Sequence, residues 1–139
     1  MILLLTMTFS FGQATEEKKE QEQKEKQEKV PGPILAFEEE SHDFGDIEQG
    51  DVVEFTFKFE NKGDAPLILS NVAVTCGCTA TSWPREPVGV GEKGEVTVKF
   101  NSAGKSGAQN KAITIYSNAR LPISRVSIVT NVLPKKKVN

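Results

Sequence analysis

The chain has 139 residues, with 17 Lys and Arg against 19 Asp and Glu and a formal net charge of -2. That balance argues against an electrostatic nucleic-acid binder, which carries a basic face. The length suits one domain, and because both ends differ in composition from the middle, the folded part is expected to be about a hundred residues, enough for one core.

Residues 2–12 form an apolar run followed by small residues, and Ser10-Phe11-Gly12 and Gly12-Gln13-Ala14 are both acceptable cleavage triplets for a signal peptidase. The run is about half of the roughly 20 apolar residues a membrane span needs, so no stable transmembrane anchor is expected. Residues 1–14 therefore read as a signal peptide, which implies a secreted or periplasmic protein. No Lys or Arg precedes Lys18, so the charged n-region is missing, and the segment reads either as a signal truncated at its start or as a weak signal. No cysteine closes it, which gives no support for a lipoprotein anchor. Residues 15–33 read as a linker. Positions 16–29 hold only Glu, Lys and Gln, a composition with no apolar face to bury and so nothing to offset the entropy of ordering. Pairs such as Glu20 with Lys24 add only about 0.2–0.5 kcal/mol each to a helix. Pro31-Gly32-Pro33 ends any such helix and marks the boundary of the domain, residues 34–134.

From Ile34 the period becomes two. Residues 34–37 read as a short strand, His42 to Ile47 follow it, and Gln49-Gly50-Asp51 reads as a turn. Then Val53, Phe55, Phe57 and Phe59 alternate with Glu54, Thr56, Lys58 and Glu60, the pattern of a half-buried antiparallel strand. Gly63 serves a chain reversal. Further strands are expected over residues 66–74, 95–100, 111–116 and 123–132, with a Pro- and Gly-rich loop before Gly94 and a polar loop over residues 101–109. About seven short strands without a convincing helix predict an all-β, immunoglobulin-like antiparallel two-sheet sandwich. Residues 135–139, with Lys135, Lys136 and Lys137, read as a solubilising basic tail.

Several motifs in this order form a pattern. His42-Asp43-Phe44-Gly45-Asp46-Ile47, the Phe57-to-Gly63 run, Val74-Thr75-Cys76-Gly77-Cys78-Thr79, Trp83 and Tyr116-Ser117-Asn118 together resemble the secreted bacterial family known as domain of unknown function 1573. The resemblance covers about residues 35–133. It implies an immunoglobulin-like sandwich related in shape to the pilus-chaperone and Hydin-type domains, and it implies no activity.

The chain holds two cysteines, Cys76 and Cys78, separated by Gly77. In an extended strand, residues two apart lie about 6.6–6.8 Å apart at Cα, on the same face. That is the far limit of what a disulfide spans, so a bridge requires Gly77 to bend the chain. So small a loop contributes under about 2 kcal/mol before strain is subtracted. Four readings stay open: a strained local disulfide formed in an oxidising compartment, two thiols buried as small hydrophobes, a soft-metal site for Cu(I) or zinc, and a dithiol that exchanges with partners. An oxidoreductase also needs a feature that depresses a thiol pKa, and no helix N-terminus is visible here to supply one.

His42, the single histidine, is a weak third-ligand candidate, since no second histidine supports it. No nucleophile-base set is signalled, so no catalytic, cofactor or metal residue is assigned. Gly89-Val90-Gly91-Glu92-Lys93-Gly94 has dinucleotide-fingerprint spacing but precedes a β-patterned run where a helix is required, so it reads as a turn. Asp43-Phe44-Gly45 has the kinase metal-binding triplet without the other kinase signatures, and Phe44 reads as a core residue. Trp83 reads as a core-capping aromatic near the cysteine turn, the alternative being an exposed anchor for a ligand.

The expectation is a non-catalytic binding or scaffolding module whose partner is a protein or a cell-envelope component. It would act through a sheet edge or through the loops at residues 76–83 and 101–109, with Gly77, Thr79 and Trp83 as candidate contacts. The alternative is a thiol-redox or soft-metal protein using Cys76 and Cys78.

Overall fold

A computed structural model describes residues 31–136 of the chain. The expected signal peptide, most of the charged linker and the last three residues lie outside the described residues.

The strands are β1 (Leu35–Phe37), β2 (Ser41–Glu48), β3 (Val52–Asn61), β4 (Leu69–Val74), β5 (Cys78–Ser82), β6 (Lys93–Asn101), β7 (Gly107–Ser117) and β8 (Ile123–Leu133). They form two four-stranded sheets, ordered β1-β3-β6-β5 and β2-β8-β7-β4, which is the expected two-sheet sandwich with eight strands in place of about seven. β5, over residues 78–82, falls in no expected strand range, and neither does β2. The β2 sequence hides a period of two because Gly45 takes a φ of 70° and the register on β8 shifts between Asp43 and Asp46. Its pairing with β8 is the one parallel pairing among the described strands, since the chain leaves β1 in one sheet and enters the other beside β8 running the same way. No helix among the described residues is long and apolar enough to cross a membrane.

The core follows from the alternation. Phe57 and Phe59 of β3, Val96, Val98 and Phe100 of β6, Ile113 and Ile115 of β7, and Val126, Ile128 and Val132 of β8 are all buried between the sheets. Each buried Phe, Ile or Val contributes about 1.5–3 kcal/mol relative to exposure. Val53 and Phe55, at the start of the same stripe, are half-buried against this core. Gly94 sits flat on Phe59, where a Cβ would run into the ring's Cζ, so only glycine fits.

Asn61 is fully buried and joins three segments. Its Nδ2 donates to the carbonyls of Ala65 at 2.8 Å and Val88 at 3.0 Å, and its Oδ1 accepts from the N–H of Gly63 at 3.0 Å and Ile34 at 3.3 Å. All four hydrogen-bonding positions of the amide are used, which is why a polar residue is tolerated there.

Candidate functional site

β4 ends in one sheet and β5 begins in the other, so residues 75–78 carry the chain across one end of the sandwich. The crossing is a tight turn: Cys78 N–H donates to the Thr75 carbonyl at 3.1 Å, and Gly77 takes a φ of 92°. Positive φ at the third position is the mark of a type II turn, and glycine adopts it without a steric penalty. A Cβ at Gly77 would also meet Phe100 and Lys105 side-chain carbons at 3.2 Å. The thiols therefore sit on a turn, and the extended-strand spacing considered above does not apply. Both are free; Cys76 is exposed and Cys78 is half-buried against the core.

Two other segments close on this turn. Asn101 N–H donates to the Gly77 carbonyl at 2.9 Å, tying the turn to the end of β6. Ser102, with 0% exposure, then pins the loop after β6 to the turn between β2 and β3. Its Oγ accepts from Gly50 N–H at 2.9 Å and shares its proton between the carbonyls of Asp51 at 2.7 Å and Glu48 at 3.2 Å. Ser102 N–H donates to the Asp51 carbonyl at 3.0 Å, and Gln49 Nε2 donates to the Lys105 carbonyl at 2.9 Å. Segments at residues 48–51, 75–78 and 101–105 thus form one hydrogen-bonded end.

Two lysines set the electrostatics of this end. Lys105 Nζ lies 3.8 Å from Cys76 Sγ. Burial pushes the Cys78 thiol above its ordinary pKa, while Lys111, a hydrogen bond with Thr75 and Lys105 pull the other way and Cys76 adds to the rise. Cys78 therefore keeps its proton at neutral pH and is a poor nucleophile. Among the described residues no group of three or more His, Cys, Asp or Glu side chains is placed to hold a metal ion.

The other residues singled out by sequence are scattered. Thr79 is exposed on β5 opposite Lys99. Trp83 lies just beyond the far end of β5, about 16 Å from the cysteine turn at strand spacing. It is half-buried on the core, with the Arg85 guanidinium carbon 3.5 Å from its ring centroid. It caps the core at a distance from the thiols, not beside them. His42 stacks on Phe55 at 3.7 Å and meets Phe44 edge-on at 4.7 Å, so its ring packs in the gap between β2 and β3. Phe44 packs against the core as expected, and Asp43 Oδ1 accepts from Gly45 N–H at 2.7 Å. The glycines at 89–94 form a turn into β6, with Gly89 N–H bonded to the Glu92 carboxylate at 2.9 Å. Sequence reasoning missed Ser102 and Lys105, whose roles depend on contacts across the fold; the polar loop containing them was the available signal.

A family model described as "Protein of unknown function (DUF1573)" matches residues 35–132. Among solved structures, a protein of unknown function from Porphyromonas gingivalis W83 aligns with TM-score 0.63 and 18% identity, over 73% of this chain and 47% of that one. The secreted serine protease VesC from Vibrio cholerae aligns with TM-score 0.59 and 16% identity, over 71% and 23%. The ASH / PapD-like domain 7 of human CEP192 aligns with TM-score 0.58 and 14% identity, over 78% and 91%. The chain spans under half the length of the first two. At these identities the likeness is one of fold. None of the curated proteins matches the chain.

Proposed function

The chain belongs to the DUF1573 family, and from that footing we propose that it is a non-catalytic binding module, secreted or periplasmic, whose partner is a protein or another cell-envelope component. The observation that carries the reading is the end built around Ser102, where three segments from both sheets are held together by main-chain and hydroxyl hydrogen bonds. Loops fixed in this way present exposed groups such as Cys76 without the entropy cost that a floppy loop would add on binding. The apolar run at residues 2–12 supports export.

The test is site-specific photo-crosslinking in the native host from Ala103, an exposed residue of this end, and from Leu121, which is 75% exposed at the tip of the β7–β8 hairpin. One discrete product from Ala103 and none from Leu121 is expected. Products from Leu121 alone would transfer the binding role to the other end.

A second reading is favoured by one contact, Lys105 Nζ beside the exposed Cys76 thiol. In it the pair exchanges disulfides or holds a soft metal ion, and Cys76 is the group that meets the partner first.

A further inference from the structure

β1 covers only one part of β3. Leu35, Ala36 and Phe37 lie opposite Asn61, Glu60 and Phe59, and Glu38 N–H donates to the Lys58 carbonyl at 2.9 Å. The chain then departs for β2 in the other sheet. Residues 52–57 of β3 have no strand on that side among the described residues.

The direction of their main-chain groups follows from the register. Asn61 N–H donates to Glu92 and its carbonyl accepts from Gly91, both on the β6 side. The pairing of β3 with β6 runs without a shift from Val52 to Glu60. Alternate residues of an antiparallel strand turn their N–H and C=O to opposite sides. Val52, Glu54 and Thr56 therefore point theirs at the open edge, in phase with the Lys58 carbonyl that Glu38 already uses. Beside this edge runs a groove of about 280 Å³, lined by Glu38, Glu39, His42, Phe55, Thr56 and Lys58 among others.

We propose that this open edge of β3 binds an extended segment of another protein, which adds as a short strand and places basic side chains against Glu38 and Glu39. Free edge groups supply main-chain hydrogen bonds, the usual source of affinity in strand addition, and the groove takes an alternate side chain beside Phe55. Charge selects the occupant. Glu38 and Glu39 are exposed beside the groove, Glu39 4.0 Å from His42 Nδ1, with Lys58 the lining cation. Glu54 is turned to Lys99 of β6 at 3.8 Å. A strand bearing Lys or Arg where it passes Glu38 and Glu39 is therefore complementary. A second copy paired two-fold about Glu54 would set that carboxylate against its own mate, which is unfavourable for directly opposed residues. This edge starts at Val52, next to the Asp51 that Ser102 holds, and runs away from that end along β3.

The test uses the full chain at low salt and a fluorescein-labelled peptide, Lys-Val-Lys-Val-Lys-Val-Lys, read by anisotropy. The same peptide with its valine amides N-methylated keeps the side chains and loses the strand hydrogen bonds. Saturable binding is expected, weakened about tenfold or more by N-methylation and equally by Thr56→Pro, which removes an N–H from the open side where an edge strand tolerates proline. Glu38→Lys with Glu39→Lys is expected to weaken it further and to flatten its salt dependence. Equal affinity for the two peptides, or no binding of either at millimolar concentration, overturns the proposal. If Thr56→Pro fails to fold, the peptide pair still decides. A dimer by sedimentation that Thr56→Pro abolishes would make a second copy the occupant and overturn the assignment as well.

Discussion

Lys105 Nζ lies 3.8 Å from Cys76 Sγ although 29 positions separate them, because the loop after β6 is folded down onto the turn between β4 and β5. The two thiols of that turn differ in environment, one exposed and one half-buried, and should differ in chemistry. Iodoacetamide at neutral pH is expected to modify Cys76 well before Cys78, as read by peptide mass mapping. The sign of the pH effect follows from burial. Cys78 has its folded pKa raised, so its contribution to stability is present below the unfolded thiol value and is lost as pH rises through the folded one. Urea midpoints should fall with increasing pH above about 8.5, the ordinary thiol value, and Cys78→Ala should reduce that slope.

Gly77→Ala puts a Cβ on a residue with φ of 92° and within 3.2 Å of Phe100 and Lys105 side-chain atoms. The left-handed conformation alone costs about 1–2 kcal/mol for a residue with a side chain. Urea denaturation should show a loss of at least that size, while Gly50→Ala, where nothing stands within 4 Å of the added carbon, should cost only the conformational part.

Ser102→Ala removes the hydroxyl that holds Gly50, Asp51 and Glu48. The Asp51 and Glu48 carbonyls keep main-chain donors in Ser102 N–H and Asp51 N–H, but Gly50 N–H is left without a partner, which costs about 1–3 kcal/mol. Hydrogen exchange should accelerate at Gly50 much more than in the middle of β7, because the damage is confined to one end.

Asn61→Asp keeps the shape of the side chain and removes both donors to Ala65 and Val88 while burying a charge at a site with 0% exposure. Loss of a buried charge-free network at a single position should exceed about 3 kcal/mol, enough to lower the melting temperature by more than 10 °C in a domain of this size. Asn61→Ala is expected to be milder, since it introduces no charge.

Much of the fold is legible in the chain because β3 and β6 alternate cleanly, and most of the residues on their apolar face are buried. β2 escapes because its acids and the Gly45 bulge break the alternation that betrays a strand. The candidate site is legible only in part. Gly77 between two cysteines signals a special turn, and residues 101–109 signal a loop. Their union through Asn101 and Ser102 is a long-range pairing with no local signature. Trp83 illustrates the converse: near the cysteines in sequence, it is carried away from them by the length of β5.

The binding reading and the thiol reading separate most directly in the affinity of the Ala103-crosslinked partner for two folded variants, Cys76→Ser with Cys78→Ser, and Lys105→Glu. If the end built around Ser102 is a binding surface, the double serine variant keeps its affinity within about twofold, and Lys105→Glu loses about tenfold or more. Abolished binding in the double serine variant, whatever the effect of Lys105→Glu, would contradict it and make the thiols the functional groups.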